Sequence, residues 1–457
     1  MRKFNKVLVA NRGEIAVRII RTLKDMGIKS VAIFSDVDRE SLHTRIADES
    51  ICIGPRNAKE SYLNKVQILN AAIVTGADAI HPGFGFLSEN SSFAKMCEIY
   101  NIKFIGPTSK VMEKMGNKDI SKKIMKEAGI PVVPGSDGVV DSLEAAKVEA
   151  RNIGYPVIIK ARSGGGGKGM RVVKDEGDFN LSFQSAKKEA ENAFGDGGLY
   201  IEKYIESPRH IEVQILADEL GNVVHLSGRD CTIQMNHQKV IEEAPPTAIS
   251  QALLEELYDI SIRAAKAVGY TNAGTIEYLV SSDGKIYFME MNTRIQVEHP
   301  VTEMITGIDI VKEQINIASG NKLEFTQEDI EIKGHSLECR INAYDSENGF
   351  LPSSGVIEAL NLPGGYGVRI DSSIYQGYNV LPFYDSMLAK IISFGKDRED
   401  SINIMLRALD EFVIEGVKTN INFNKKILTD KNFLSNDFST NFLSDDRIES
   451  IIGGGVD

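Results

Sequence analysis

Two carboxylates lie at matching positions in a segment that has the pattern of a β-hairpin. Within residues 274–290, Asp283-Gly284 separates two β-rich runs, and this dipeptide is a strong signal for a tight turn. If these two residues form the loop, counting outward places Glu277 directly opposite Glu290, with Cβ atoms about 5 Å apart. Like charges at that distance repel, so the pattern predicts a neutralising cation. A shared proton, or a register that differs by one residue, is the alternative.

The chain beyond Glu290 carries polar side chains at every second position. If it stays extended, one face presents the residues Glu290, Asn292, Arg294, Gln296 and Glu298. Two carboxylates and an amide oxygen form an all-oxygen set that suits Mg²⁺. The arginine, glutamine and glutamate beyond them could hold a small planar oxyanion and remove its proton. An ordinary strand face turned to solvent is the alternative interpretation.

A glycine-rich loop, residues 163–169, lies between two strand-like runs. Backbone N–H groups without Cβ atoms can converge on a phosphate, although a flexible turn has the same composition. The loop is not a Walker A motif, because Lys168 is followed by Gly169 instead of Ser or Thr. Lys160 ends an apolar strand beside the loop and needs an anionic partner or a route to water, which favours a phosphate site.

Two further polar groups are ambiguous on their own. Alternation places Glu338, Arg340 and Asn342 on one strand face, and Lys239 follows a short polar run. Taken singly, these residues are typical of an ordinary strand face and a surface charge. Together with the hairpin and the glycine loop, they indicate a Mg²⁺-dependent nucleotide enzyme with an anionic co-substrate.

The elements that must position these residues begin as a βαβ unit. Residues 6–10 and 30–34 have the pattern of strands. The apolar stripe between them predicts a helix that ends at Gly27, and the strand–helix–strand order favours a parallel α/β layer. The first turn lacks G-x-G-x-x-G, so NAD binding is disfavoured. A first domain ends near residue 110, residues 112–128 are predicted to be helical, and a smaller unit then begins.

Composition excludes several classes of protein. The 457 residues exceed one ordinary core, and 42% hydrophobic with 25% charged residues is typical of a globular protein. The net charge of −12 argues against a nucleic-acid surface, so cations must be concentrated at any phosphate site. We expect no membrane span, because no run of 18 apolar residues occurs. The four cysteines form no Cys-x-x-Cys pair, which argues against a zinc site.

At these residues the chain resembles the biotin carboxylases of the ATP-grasp superfamily over nearly its whole length. The matching strings are residues 10–16 (ANRGEIA), 81–89 (HPGFGFLSE), 115–118 (MGNK), the glycine loop, 237–239 (HQK) and 290–300 (EMNTRIQVEHP). The last string is highly specific. The resemblance implies an α/β fold, α+β in parts, with an N-terminal Rossmann-like domain at 1–111, an ATP-grasp domain at 112–320 with a mobile lid at about 132–204, and a C-terminal biotin carboxylase domain at 334–445.

The resemblance also implies roles for individual residues. The implied ATP-binding set is Lys118, Lys160, Gly166, Gly167, Glu202, Lys203, Tyr204, Ile205, His210, His237, Glu277 and Glu290. The implied metal ligands are Glu277, Glu290 and Asn292. The implied bicarbonate and biotin pocket is Lys239, Arg294, Gln296, Val297 and Arg340. Within it, Glu298 corresponds to the base that deprotonates bicarbonate, and Arg340 to the residue that stabilises the biotin enolate, so Arg294, Glu298, Arg340 and Lys239 form the expected catalytic group.

The implied reaction is carboxylation of biotin, with ATP and bicarbonate as substrates and two Mg²⁺ or Mn²⁺ ions as cofactors. The sequence contains no Ala-Met-Lys-Met attachment motif, so we expect a separate biotin carboxyl carrier protein and separate carboxyltransferase subunits. The resemblance further implies a homodimer, and a cytoplasmic location is the default. Acetyl-CoA carboxylase, which makes malonyl-CoA for fatty acid synthesis, is the expected parent complex. A pyruvate or other acyl-CoA carboxylase, another ATP-grasp ligase such as a carbamoyl-phosphate synthetase-like enzyme, and a silent nucleotide-binding regulator are the alternatives.

The sequence departs from the family pattern at a few positions outside the implied catalytic set. These are Arg162-Ser163 at the entrance to the glycine loop, Gly228, Met235-Asn236 and Tyr344. They leave the details of the adenine site, the lid and the subunit contacts open, and Arg162 could add positive charge near the phosphates.

Overall fold

The N-terminal part of the chain forms a parallel five-stranded sheet. A computed structural model describes residues 3–140, 142–162 and 169–453. The strand order is β3-β2-β1-β4-β5, and β1 pairs in parallel with β2, so the predicted βαβ unit is confirmed. The strands are β1 (Lys6–Val9), β2 (Lys29–Ser35), β3 (Glu49–Gly54), β4 (Ala79–His81) and β5 (Lys103–Phe104). The helices are α1 (Gly13–Asp25), α2 (Leu42–Ile46), α3 (Lys65–Thr75) and α4 (Ser91–Ile99).

The helix predicted over residues 112–128 is two helices, α5 (Ser109–Gly116) and α6 (Lys118–Glu127). Asn117 separates them in an extended conformation, and its side chain accepts hydrogen bonds from the N–H groups of Asp119 and Ile120. The segment is therefore helical as predicted, but it is divided because the asparagine caps a new helix where the apolar spacing continues unbroken. As a result, Lys118 is the first residue of α6.

A small antiparallel sheet follows, with the strand order β7-β6-β8. Its elements are α7 (Leu143–Ile153), β6 (Val157–Ala161), β7 (Met170–Val173), α8 (Phe179–Phe194) and β8 (Leu199–Lys203). The glycine-rich loop therefore joins two antiparallel strands, as predicted. Within it, residues 163–168, which include Gly166 and Gly167, lie outside the described residues.

An eight-stranded sheet runs through the rest of the molecule in the order β13-β12-β9-β10-β11-β14-β21-β19. The strands before residue 320 are β9 (Arg209–Ala217), β10 (Val223–Met235), β11 (Gln238–Ala244), β12 (Asn272–Val280) and β13 (Ile286–Asn292). The later strands are β14 (His335–Asn342), β19 (Val368–Ser372) and β21 (Met387–Gly395). Because β11 pairs with β14, one sheet joins the middle and C-terminal parts of the chain.

The remaining elements cover this sheet or extend from it. The helices are α9 (Gln251–Val268), α10 (His299–Thr306), α11 (Ile310–Ala318), α12 (Arg398–Glu411), α13 (Ile421–Leu428), α14 (Lys431–Leu434) and α15 (Asp445–Gly453). Short strands are β15 (Tyr344–Asp345), β16 (Leu351–Pro352), β17 (Gly355–Val356), β18 (Ala359–Asn361), β20 (Asn379–Val380) and β22 (Val413–Glu415). Short 3₁₀ turns lie at Asp36–Asp38, Ala58–Glu60 and Gln327–Asp329. None of the helices in the described part of the chain is long and apolar enough to cross a membrane.

Strand β9 shows how the large sheet separates its core from its polar face. Its apolar residues Ile211, Val213 and Ile215 are fully buried in a hydrophobic cluster that includes side chains of α9. The alternate residues on the opposite face include Glu212 and Gln214, which are also buried. A polar face that is buried must satisfy its charges within the protein, and this face holds the site described next.

Candidate active site

The two predicted carboxylates face each other across the β12–β13 hairpin, because Glu277 pairs directly with Glu290. The loop itself differs from the prediction. The N–H of Gly284 donates to the carbonyl of Ser281 (2.9 Å) and the N–H of Ser281 donates to the carbonyl of Lys285 (3.0 Å), so the loop has three residues instead of two. Gly284 occupies the left-handed region at φ +79°, which is where a three-residue hairpin loop places glycine.

A β-bulge explains why the pairing is correct although the predicted turn was wrong. The longer loop shifts the register by one residue near the turn, so that Tyr278 pairs with Phe288. The register then shifts again before Glu277, which leaves Met289 as the extra residue on β13. The second shift restores the register that brings Glu277 opposite Glu290.

The condition that the chain stays extended from Glu290 to Glu298 holds only as far as Asn292, where β13 ends. An irregular turn follows, and Glu298 has φ −80° and ψ 10° immediately before α10. The polar side chains nevertheless converge. Gln296 Nε2 donates to Glu277 Oε1 at 2.9 Å, and Arg294 donates to the side-chain oxygens of Asn292 and Gln296, each at 2.8 Å.

Glu277 is buried and has a full set of partners. Its Oε1 accepts hydrogen bonds from Lys239 Nζ, Asn292 Nδ2 and Gln296 Nε2, each at 2.9 Å. Its Oε2 lies 3.2 Å from His210 Nε2. Burial alone would raise the pKa of this carboxyl, but Lys239 and His210 outweigh it and lower the pKa. Glu277 is therefore ionised.

Glu290 differs from Glu277 because it has no hydrogen-bond or ion-pair partner among the residues that the structure describes. Desolvation in the cleft, followed by the neighbouring charges of Glu277 and Glu89, raises the pKa of its carboxyl. An unneutralised carboxylate opposite an ionised one is a fitting site for a hard divalent cation. Asn292 turns its amide nitrogen to Glu277 and its oxygen to Arg294, so only the two carboxylates face each other directly.

Lys239 is a buried cation surrounded by three carboxylates. Its Nζ lies 2.6 Å from Glu212 Oε2, 2.9 Å from Glu277 Oε1 and 2.6 Å from Glu298 Oε1, and its side chain is 12% exposed. Burial alone would lower the pKa of this ammonium, but the three carboxylates raise it well above its usual value. Lys239 therefore stays charged and joins β9, β12 and the turn before α10 at a single point.

Glu298 is fully buried between two cations, Lys239 on one oxygen and Arg340 NH2 on the other at 3.0 Å. Burial would raise the pKa of its carboxyl, but Lys239, Arg340 and Arg229 together lower it well below its usual value. The side chain is therefore ionised and is held between its two cations.

Arg340 bridges Glu298 and Glu242, donating from Nε to Glu242 Oε1 at 2.6 Å. Its carbonyl accepts hydrogen bonds from the side-chain amides of Asn420 and Asn424, which fixes the backbone of β14 at this point. Burial raises the pKa of Glu242 to about 7, although Arg340 opposes the shift. The guanidinium is thus held by acceptors on one side and presents a rigid fork of donors.

Val297 lies between the site and a fully buried lysine. The Nζ of Lys390 donates to the Val297 carbonyl at 2.7 Å and lies 3.1 Å from Glu14 on α1. Burial raises the pKa of Glu14 to about 7, partly offset by Lys390. The turn that carries Glu298 is therefore fastened to helix α1 through Lys390.

The predicted nucleotide residues lie around β6, β8 and α6. Lys160 Nζ is 2.6 Å from Glu202 Oε2, and Lys122, which sequence analysis missed, reaches the other oxygen of Glu202. Burial is outweighed by Lys160 and Lys122, which lower the pKa of Glu202 to about 2. Lys203 donates to the carbonyls of Gly154 and Tyr155, each at 3.0 Å.

The other predicted nucleotide residues have simpler surroundings. Tyr204 and Ile205 are half-buried in the connection from β8 to β9. His237 is exposed in the two-residue turn between β10 and β11, where Asn236 and His237 both have positive φ. Arg162, the added charge at the loop entrance, pairs with Asp196 at 2.9 Å.

Three family profiles match nearly the whole chain. "Biotin carboxylase, N-terminal domain" matches residues 3–112, "Carbamoyl-phosphate synthase L chain, ATP binding domain" matches residues 117–326, and "Biotin carboxylase C-terminal domain" matches residues 338–445.

The chain belongs to the biotin carboxylase family.

Individual members of this family are similar to the chain from end to end. Biotin carboxylase 1 of Bacillus subtilis is 53% identical over 439 residues, which is 96% of this chain and 98% of that protein. A pyruvate carboxylase subunit of Methanothermobacter thermautotrophicus is 53% identical over 445 residues, which is 97% of this chain and 90% of that protein. As a biotin carboxylase family member, the chain is an ATP-dependent ligase.

A solved structure shows the same arrangement as the fold described above. The biotin carboxylase domain dimer of the Hydrogenobacter thermophilus 2-oxoglutarate carboxylase, in complex with MgADP, ADP and bicarbonate, superposes with a TM-score of 0.94. The two sequences are 47% identical, and the match covers 100% of both chains. The predicted mixed α/β fold with an ATP-grasp core is therefore confirmed for this biotin carboxylase family member.

Several residues of the site were not singled out from the sequence. Arg229 is fully buried and donates to Glu212 Oε1 at 2.5 Å, so it shares that carboxylate with Lys239. Glu89 accepts hydrogen bonds from Arg294 Nε and from the N–H of Thr293, each at 3.0 Å. The alternation along β9 did place Glu212 on the polar face, and this was the available signal for its role.

Proposed function

We propose that this protein carboxylates biotin, using ATP and bicarbonate, through a carboxyphosphate intermediate. The observation that carries the proposal is the row of side chains from the Glu277–Glu290 pair through Lys239 to Glu298 and Arg340. This row offers a cation site, an anion site and an ionised carboxylate that can act as a base, side by side along one polar face of the sheet. The reaction needs each of these at neighbouring positions.

The nucleotide occupies the side of the cleft near β6 and α6. Lys118 and Lys160 take the phosphates, and Gly166 and Gly167 are further residues of the phosphate site. The adenine lies against the segment of Glu202, Lys203, Tyr204 and Ile205, with His210 and His237 as further contacts. Glu277, Glu290 and Asn292 hold two Mg²⁺ or Mn²⁺ ions, which when bound offset the charge of the transferring phosphoryl group.

Bicarbonate binds among Lys239, Arg294, Gln296 and Val297, where its charge competes with Glu298 for Lys239. Glu298 takes the bicarbonate proton, and a bicarbonate oxygen attacks the γ-phosphorus, releasing ADP and forming carboxyphosphate. Carboxyphosphate breaks its C–O bond to give CO₂ and phosphate. Once the biotin ureido N–H has lost its proton to phosphate or a nearby base, that nitrogen attacks CO₂. Arg340 stabilises the enolate charge on the ureido oxygen because its guanidinium stays cationic.

We further propose that the protein is the biotin carboxylase subunit of acetyl-CoA carboxylase, serving malonyl-CoA and fatty acid synthesis. Relatives named for pyruvate and 2-oxoglutarate carboxylases support the alternative of another parent complex. The proposed partners are a biotin carboxyl carrier protein, carboxyltransferase subunits and a second copy of the chain. The proposed domains are the N-terminal Rossmann-like domain at 1–111, the ATP-grasp domain at 112–320 and the C-terminal biotin carboxylase domain at 334–445. A cytoplasmic location is proposed because ATP is a substrate.

The experiment that tests the reaction is an ATP-cleavage assay with and without bicarbonate, followed by carboxybiotin detection with free biotin as acceptor. Bicarbonate-stimulated cleavage and biotin-dependent carboxylation are the expected results. Glu298→Gln should lose both, whereas Glu256→Gln, at an exposed position on α9, should lose neither. ATP cleavage that ignores bicarbonate in the wild-type protein would reject the proposal. Mass identification of the native partners would settle the parent complex.

A further inference from the structure

Lys122 lies beside the proposed nucleotide residues Lys160 and Glu202, and the proposed mechanism gives it no role. It lies in α6, four residues after Lys118, so the two side chains project from the same face of the helix. Its ammonium reaches Glu202 on β8, and its side chain is 31% exposed. Lys122 therefore lies between the segment proposed for the phosphates and the segment proposed for adenine.

The carboxylate of Glu202 binds two lysines, one on each of its oxygens. Lys122 binds Oε1, and Lys160 binds Oε2 at 2.6 Å, so each ammonium has its own oxygen. The Glu202 side chain is only 7% exposed, whereas those of Lys122 and Lys160 are about one-third exposed. Either lysine can thus move toward the cleft while the other stays on the carboxylate.

The proposed function requires one of these lysines to move. When Lys160 turns from Glu202 to the nucleotide phosphates, the buried carboxylate loses one of its two partners. An ionised carboxylate that is left buried and unpaired is destabilised, whereas one that keeps a lysine avoids most of that cost. Lys122 is the remaining partner in this arrangement.

We infer that Lys122 is a positioning residue for ATP, holding Glu202 in place and charged so that Lys160 can leave it for the phosphates. This inference rests on the proposed nucleotide site. It assigns Lys122 an effect on nucleotide affinity through Glu202 and no contact with the reacting atoms. A second contact fixes the same helix near β8, because Tyr200 OH donates to Asp119 at 2.8 Å.

The test measures KM for ATP and kcat of bicarbonate-dependent ATP cleavage in variants at position 122. Lys122→Met should raise KM about tenfold, with kcat within about twofold of wild type, because the penalty falls on the step that moves Lys160. Lys122→Arg should restore a KM near that of wild type. Lys123→Met, at the exposed neighbouring position, is the matched control and should change neither constant.

A double variant separates positioning from direct binding. In the Glu202→Gln variant, residue 202 carries no buried charge that needs a lysine partner. Adding Lys122→Met to this variant should therefore change KM for ATP by less than about twofold. A tenfold effect that persists in the Glu202→Gln background would mean that Lys122 binds the nucleotide itself, and the inference would be wrong. An unchanged KM in Lys122→Met, or an equal fall in kcat with a lowered unfolding temperature, would also overturn it. Wild-type activity without bicarbonate dependence would instead reject the proposed function.

Discussion

At the scale of single residues, the site works by charges that hold one another in place. Lys239 contacts three carboxylates, and Glu298 contacts two cations, so each charge is buried but paired. Such pairing keeps Glu298 ionised. In the proposed reaction, an anion that displaces Glu298 from Lys239 would make it a stronger base, so that substrate binding and activation of the base would be the same event.

Arg340→Ser should separate the two half-reactions. Losing a donor to a developing oxyanion costs about 10²–10³ in rate, so carboxylation of biotin should fall by that factor. Bicarbonate-dependent ATP cleavage should fall less, because it precedes formation of the enolate. Both rates are measured on the same preparation, with Arg407→Ser on the exposed face of α12 as control. Equal loss of both activities would contradict the role given to Arg340.

Glu290→Gln should weaken metal binding without unfolding the protein. Glu290 has no partner in the part of the chain that is described, so the amide breaks no observed contact, while the cation site loses a charge. The Mg²⁺ concentration for half-maximal ATP cleavage should rise at least tenfold, the lower end of what outer-shell changes cost metal sites. Excess Mg²⁺ should restore most of the rate. An unchanged Mg²⁺ titration would show that the ion sits elsewhere.

The sequence predicted the facing carboxylates and the alternation on β14, because both follow from period-two geometry. It did not reveal that Lys239 is buried. Glu212, Glu277 and Glu298 come from β9, β12 and the turn before α10, and their meeting at one ammonium depends on how these elements pack. Local spacing carries no information of that kind.

At the scale of elements, small departures from ideal geometry aim the side chains. The bulge at Met289 restores the pairing that the three-residue loop would otherwise shift, and the turn after Asn292 brings Glu298 to the start of α10. The predicted register was correct because two one-residue shifts cancel. A sequence count cannot foresee either shift, since both depend on backbone conformation at single residues.

Asn117→Ala should show that the start of α6 matters to the nucleotide site. Removing this cap should cost about 1 kcal/mol of stability and loosen the start of α6, which carries Lys118 in its first turn and Lys122 one turn later. KM for ATP should therefore rise. Asn64→Ala, which removes a comparable cap from α3, is the control. It should cost similar stability in urea unfolding and leave KM unchanged, and a matching rise in both variants would argue against the link.

At the scale of the whole molecule, buried charges tie helix α1 of the N-terminal part to the rest of the protein. Lys390 on β21 contacts Glu14 on α1 and the carbonyl of Val297, which precedes Glu298. Asp371 on β19 lies 4.0 Å from the same ammonium and is paired with Arg369. The three parts of the chain therefore meet behind the turn that carries Glu298.

Glu14→Gln should change how stability depends on pH. The pKa of Glu14 is raised from 4.5 to about 7 in the folded protein, chiefly by burial, so the folded state keeps a proton that the unfolded chain releases. The wild-type free energy of unfolding should therefore lose up to about 3 kcal/mol relative to the variant as pH rises from 4.5 to 7, and the difference should stay constant above that. Urea unfolding at pH 5 and pH 8 measures it, and a difference independent of pH would contradict the assignment.

The pairing of β11 with β14 has a consequence for attempts to divide the polypeptide. Suppose that the connection between residues 320 and 334 is cut and each piece is produced separately. Strands β11 and β14 would then each expose unpaired backbone donors and acceptors, because the pairs Ile241–Cys339 and Glu242–Glu338 would be broken. Each piece alone should aggregate. When the two pieces are produced together in one cell, β11 and β14 should pair again, and activity should return.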